Sequence, residues 1–275
     1  MADEVLLIPK ANTLLVHSGN IVNWNRLKRK PNQTPTEELT ECVESTLATF
    51  LAESDKNQLQ YETDLDCVNA KFQETLPTDE RDELKVTVKI FLALLCKLLP
   101  PDALKDIVDR ALTELDVSFV ETVLISLPEQ EDGEELTLDI IKPYWEVLQG
   151  LVQKEQVLSL GISDLDKGML EQLYQWAQIK PVIDQVNLES CCVIPKDLGE
   201  FAKQHDIQLL THNDPKNIMP AQILQEVIAA NSTYKDGSQW EMHWVLRYSV
   251  LIKCRGIIRT KGYILKAVRD LKKRK

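Results

Sequence analysis

Few residues of this chain are equipped for chemistry. It has four histidines, at 17, 205, 212 and 243, and six cysteines, at 42, 67, 96, 191, 192 and 254. No CxxC and no paired Cys/His spacing occurs, so a zinc site and a disulfide framework are not indicated. HExxH, GxSxG, GxGxxG and GxxxxGK[ST] are all missing, which removes the zinc protease, serine hydrolase, Rossmann and P-loop readings. His205 closes an amphipathic segment, where a cation suits the helix dipole and needs no other role. Cys191 and Cys192 are adjacent and therefore point to opposite sides of an extended chain, leaving one of them accessible.

The elements that must position any site are clearest between Leu158 and Pro215. Three short apolar runs, VLSLGIS (157–163), DQVNLE (184–189) and IQLLTHN (207–213), alternate with segments of helical period at 165–177 and 195–205. This reads as β-α-β-α-β with parallel strands and right-handed crossovers. Upstream, Leu14 to Val16 reads as a strand, and Thr36 as the cap of a helix with Leu39, Val43 and Leu47 on one face. Residues 53–75 are polar and weakly patterned. LKVTVKIFL (84–92) and VSFVETVLISL (117–127) are strands, and 102–115, 138–155 and 221–230 are helices. Trp240, Trp244, Leu246 and Tyr248 read as core, VLIKC (250–254) as a last strand, and Tyr263 onward as a helix. A βα unit every 23 to 40 residues allows either a doubly wound sheet or a (β/α)8 barrel.

Net charge is −11, yet the last 23 residues carry ten Lys/Arg against Asp270, so the preceding 252 sum to −20. An acidic body argues against a nucleic-acid protein. The longest apolar run, Ile90 to Cys96, is far short of the roughly 20 residues of a membrane span. MADEVLL does not read as a secretory signal. One domain over 1–275, with a basic tail at 266–275, is expected.

Gly161-Ile162-Ser163, followed some twenty residues on by an Asp-Gln-Val strand, is similar to the second half of an aldo-keto reductase barrel. The chain from about Thr13 to Leu265 resembles the glutamate–cysteine ligase regulatory subunits, a non-catalytic branch of that superfamily. The segments that carry this are GNIVNW (19–24), DERDELKV (79–86), Leu158 to Pro215 and RYSVLIKCRGIIRTKGYIL (247–265). The resemblance selects the (β/α)8 TIM barrel, aldo-keto reductase-like, within the α/β class.

It also implies a damaged active site. The reductases use an Asp, Tyr, Lys and His tetrad with NADPH. VTVKIF puts Lys89 at the lysine position, but Ser126 stands where the histidine belongs, and TFLAESDKNQ (49–58) supplies no tyrosine. Ser163 and Gln185 match residues that hold the nicotinamide amide, Asp164 replaces an Asn, and His212 replaces the stacking tyrosine. Lys253 and Arg255 are weak substitutes for the phosphate-binding motif. No catalytic residue, metal or cofactor is therefore expected.

In a barrel, Lys89, Ser126, Ser163, Gln185 and His212 converge on the C-terminal mouth as a relic pocket. There Lys89 needs a carboxylate, for which Asp164 is the better candidate and Asp184 the other. The implied role is that of a cytoplasmic regulatory subunit forming a heterodimer with the ligase catalytic subunit, raising its apparent glutamate affinity and weakening glutathione feedback inhibition. The loop with Cys191 and Cys192 and the basic tail are the expected docking surfaces. The alternatives are an NADPH-dependent reductase or a dinucleotide-sensing scaffold.

Overall fold

The computed structural model describes residues 11–25, 32–59, 61–93, 99–128, 136–187, 193–231 and 239–269. Its strands are β1 (Thr13–His17), β2 (Asp64–Val68), β3 (Leu84–Leu92), β4 (Val120–Ser126), β5 (Val157–Ser163), β6 (Ile183–Asn187), β7 (Gln208–His212), β8 (Trp240–Ile252) and β9 (Ile257–Arg269). The α-helices are α1 (Ile21–Asn25), α2 (Pro35–Glu53), α3 (Lys56–Leu59), α4 (Ala103–Leu115), α5 (Leu138–Gln153), α6 (Lys167–Trp176), α7 (Lys196–Gln204) and α8 (Ala221–Ala230). None of them is long and apolar enough to cross a membrane.

Helices alternate with parallel strands about one nine-stranded sheet, as expected of the α/β class. The order is β2-β1-β9-β8-β3-β4-β5-β6-β7. This differs from the sequential order of an ideal (β/α)8 barrel. β8 and β9 form a long antiparallel hairpin that enters between β1 and β3, antiparallel to both. One sheet face packs α4 to α7 through Val86, Val88, Ile90, Val123 and Ile125. The other packs α2 and α8 through Leu14, Val16, Phe91, Val245 and Leu265.

Local chemistry accounts for the differences from the sequence reading. The α2 cap is Thr34, not Thr36. Its Oγ1 accepts from the Glu37 N–H at 3.2 Å, while the Glu37 carboxylate accepts from the Thr34 N–H at 2.9 Å. Pro35 lacks an N–H and therefore suits the first turn after this capping box. β2 lies inside the weakly patterned stretch, because only Leu65 and Cys67 of DLDCV face the core. Tyr263 and the residues after it form β9 rather than a helix. Tyr263, Ile264, Leu265 and Ala267 are all buried, and a strand covered on both faces shows no period of two.

Trp240, Trp244, Leu246 and Tyr248 are core, as expected. A register shift between Met242 and Trp244 moves the even-numbered side chains from the α2/α8 face to the α4–α7 face. Of the predicted basic tail, 266–269 complete β9 and 270–275 lie outside the described residues. The loop with Cys191 and Cys192, the acidic loop at 129–135 and Cys96 also lie outside them.

Gly262 fixes the hairpin register. It sits opposite Tyr248, and a Cβ there would overlap the Tyr248 ring and the Gly19 carbonyl. Gly262→Ala should destabilise the fold by about 1–3 kcal/mol through overpacking. Denaturant unfolding with an unchanged midpoint would contradict this reading.

Candidate functional site

Residues paired across parallel strands share a face, so the registers Lys89↔Leu124, Leu124↔Gly161, Ser163↔Gln185 and Gln185↔Leu210 place Lys89, Ser163, Gln185 and His212 on one side of the sheet. Arg247 joins them opposite Lys89. The Lys89 side chain is buried, and its Nζ donates to Gln185 Oε1 at 2.8 Å and to Asp214 Oδ2 at 2.9 Å. Arg247 grips the same carboxylate with both terminal nitrogens, at 2.5 Å to Oδ1 and 2.8 Å to Oδ2. Both cations lie over the Phe91 ring, at 5.1 and 5.3 Å from its centroid.

Asp214 is therefore the anion on which the site turns. Burial alone would raise its carboxyl, but the hydrogen bonds and charge of Arg247, with those of Lys89, hold it well below the usual range. Burial pushes the Lys89 ammonium down, partly offset by Asp214. Neither expected counter-ion serves. Asp184 neighbours Gln185 in β6 and so points to the opposite face, where it is fully buried. Asp164 has φ 65°, a left-handed turn that Asp tolerates, and its Oδ1 accepts from the Asn187 N–H at 2.9 Å.

His212 ties these parts together. Its Nδ1 accepts from the Asp214 N–H at 3.1 Å, so the neutral ring carries its proton on Nε2, 3.0 Å from Asp164 Oδ1. Asn187 Nδ2 donates to the Asp214 carbonyl at 2.9 Å. The β7–α8 connection is thus fixed from both its side chain and its backbone.

A cavity of about 360 Å³ opens beside this network, walled by Gln33 and Thr34 on one side and Thr211, His212 and Arg247 on another. Of the five predicted pocket residues, Gln185 and His212 line it. Lys89 reaches it through Gln185 and Asp214 rather than lining it. Ser163 is buried beside Gln185, and its Oγ has no hydrogen-bond partner among the described residues. Ser126 shares the sheet face, opposite Phe91, without joining the network.

Lys253 lies away from the mouth. β8 runs antiparallel to β3, so its C-terminal end reaches the start of β3, and Lys253 Nζ donates to the Asp82 carbonyl at 2.8 Å. Sequence reasoning missed Asp214 and Arg247. Arg247 carries the detectable signal, a charge between the buried neighbours Leu246 and Tyr248, which demands a partner on the other face.

No family model matches the chain. The glutamate–cysteine ligase regulatory subunits of Bos taurus and Homo sapiens are each 44% identical to it over 264 residues, covering 96% of this chain and 95% of theirs. The chain belongs to the glutamate–cysteine ligase regulatory subunit family. An aldose reductase structure from Schistosoma japonicum is 18% identical over 40% of each chain, with a TM-score of 0.32. The residues Lys89, Gln185 and His212, assigned from the reductase pattern, thus sit together in a member of the regulatory family, held by an aspartate.

Two outcomes follow from these ion pairs. Arg247→Met strips Asp214 of its bidentate partner and should cost about 3–5 kcal/mol. Lys89→Met leaves that pair intact and should cost about 1–3 kcal/mol. Equal losses in denaturant unfolding would show that the two cations are not ranked in this way.

Asp184 supplies a pH test. Burial pushes its carboxyl up to about 7, with Asp164 adding to the rise and the Leu165 amide opposing it. Neither carboxyl oxygen has a well-formed hydrogen bond among the described residues. A carboxyl raised on folding contributes fully below its unfolded value, about 3.9, and that stability is lost as pH rises through 7. Asp184→Asn should therefore narrow the difference in Tm between pH 5 and pH 8 by about 5 °C. A difference as wide as in the parent chain would place the titration elsewhere.

Proposed function

We propose that this chain is a non-catalytic regulatory subunit of glutamate–cysteine ligase. It binds the catalytic subunit as a heterodimer in the cytoplasm, raises its apparent glutamate affinity and weakens its inhibition by glutathione. Family membership supports the partner. The observation that carries the non-catalytic reading is the fate of Lys89, whose ammonium is held by Asp214 and Gln185 instead of facing a tyrosine.

Proton donation in a reductase needs a phenol made more acidic by a neighbouring lysine. The buried tyrosine on this sheet face, Tyr263, donates to Glu38 at 2.6 Å. Burial holds its phenol well above the ordinary value, against the pull of Arg247 and with the support of Glu38. The mouth also does not fit a dinucleotide. The Gln185 carbonyl is taken by Lys89, the His212 ring is tied to Asp164, and Lys253 lies near the opposite ends of the strands.

Regulation then requires only that the chain bind one conformation of the catalytic subunit more tightly than another. Adding the purified chain to the catalytic subunit should lower the glutamate KM and raise the glutathione concentration needed for half inhibition. The chain alone should leave NADPH at background with an aldehyde panel. Unchanged ligase kinetics at saturating chain, or turnover of NADPH, would overturn this reading.

A further inference from the structure

The parallel ladder decides which backbone groups of β7 are in use. The Gln208 N–H donates to the Val182 carbonyl at 2.9 Å, and the register runs from Ile183↔Gln208 to Asn187↔His212. Gln208, Leu210 and His212 therefore turn their N–H and C=O groups toward β6, and Leu209 and Thr211 turn theirs away. β7 ends the sheet, and among the described residues neither Leu209 nor Thr211 has a backbone partner on that outer side. None of the five β7 residues is fully buried, in contrast to β3, β4, β5 and β6.

Open edges are normally guarded by charges, prolines or bulges. The opposite edge, β2, follows that rule. Its exposed Asp64 accepts from Thr13 and Thr63, and its exposed Asp66 lies 3.2 Å from His17 Nε2. β7, with sequence QLLTH, has no proline and no lysine, and its one titratable ring is turned to Asp164. The edge also continues into the cavity through Thr211 and His212, so an added strand would meet a concave surface at its end.

We infer that the outer edge of β7 is where an extended segment of the ligase catalytic subunit adds a strand to this sheet. This rests on the regulatory reading above and names its docking surface. The segment pairs with Leu209 and Thr211 through two N–H and two C=O groups, as in other strand-addition complexes. A second copy of this chain is the poorer occupant. Each copy carries −11, and a five-residue pairing buries far less than the roughly 1,000 Å² a stable dimer needs. A larger catalytic partner adds the edge to other contacts.

Residue-resolved amide hydrogen exchange of the full chain, free and with the purified catalytic subunit, tests this. In the free chain, Leu209 and Thr211 should exchange fast and Leu210 slowly. In the complex, Leu209 and Thr211 should slow by roughly a hundredfold. The double variant Leu209→Pro, Thr211→Pro removes the outward-facing donors, which an edge strand tolerates, together with the partly buried Leu209 side chain and the Thr211 side chain at the cavity. It should weaken association tenfold or more with unchanged circular dichroism. If it fails to fold, exchange in the unaltered chain still decides. A complex in which both amides stay fast overturns the edge and leaves the regulatory reading standing. Protection in the dilute free chain shows the edge closed by the chain itself, and protection that grows with its concentration shows a second copy, and either overturns the inference. No complex at all overturns the regulatory reading and this inference with it.

Discussion

Two cations on neighbouring strands, one buried and the other half-buried at the cavity wall, both over one aromatic ring, need an anion between them. Lys89 and Arg247 meet that condition, and Asp214 satisfies both from a connection 125 residues away from the lysine. Removing charge from water costs several kcal/mol per ion, and the attraction between ions offsets this only with good geometry and further hydrogen bonds. The bidentate Arg247 contact, the Gln185 acceptor and the His212 contact to the Asp214 backbone supply that geometry. The position of the β7–α8 connection, and hence of one cavity wall, is a consequence of this charge balance.

The same balance bears on the non-catalytic reading proposed above. A catalytic lysine acts on a neighbouring phenol only while its charge is directed there. Here Asp214 and Gln185 take the ammonium, Glu38 takes the Tyr263 hydroxyl, and Asp164 takes the proton-bearing nitrogen of His212. These three side chains are held by internal partners, whereas Thr211, Asn213 and Ser249 also line the cavity. Ser163 Oγ and the Asp184 carboxyl are buried and do not face a common point, because Ser163 and Asp184 lie on opposite sides of the sheet.

Much of the frame was legible from local pattern. Val157–Ser163 and Ala221–Ala230 end where their apolar period ends, because β5 and α8 are bounded by turn and cap residues. β2 escaped because an edge strand with two aspartates looks like a loop. β9 escaped because a strand buried on both faces has no alternation. At the site, Lys89, Gln185 and His212 were reached through family resemblance, and they do gather. Their anion was not reachable in that way. Lys89 and Asp214 meet only because the sheet brings β3 and the end of β7 onto one face, and Arg247 faces Lys89 only because the hairpin enters beside β3. Neither relation is written in any window of neighbouring residues.

The place of that hairpin also sets an order of events during synthesis. β1 pairs with β9 through Thr13↔Val268 and His17↔Ile264, about 250 positions apart, while β3 to β7 pair among themselves with strands near in sequence, leaving only the β8 side of β3 to a distant partner. Contacts of such span form slowly, because the intervening chain must first be gathered in. On the ribosome, the β3–β7 block can assemble as it emerges, whereas β1 must wait for residues 257–269 to be made and released. Until then, the strand that opens the fold has no ladder on its β9 side, and a nascent chain stalled before residue 257 would carry it unpaired on that side.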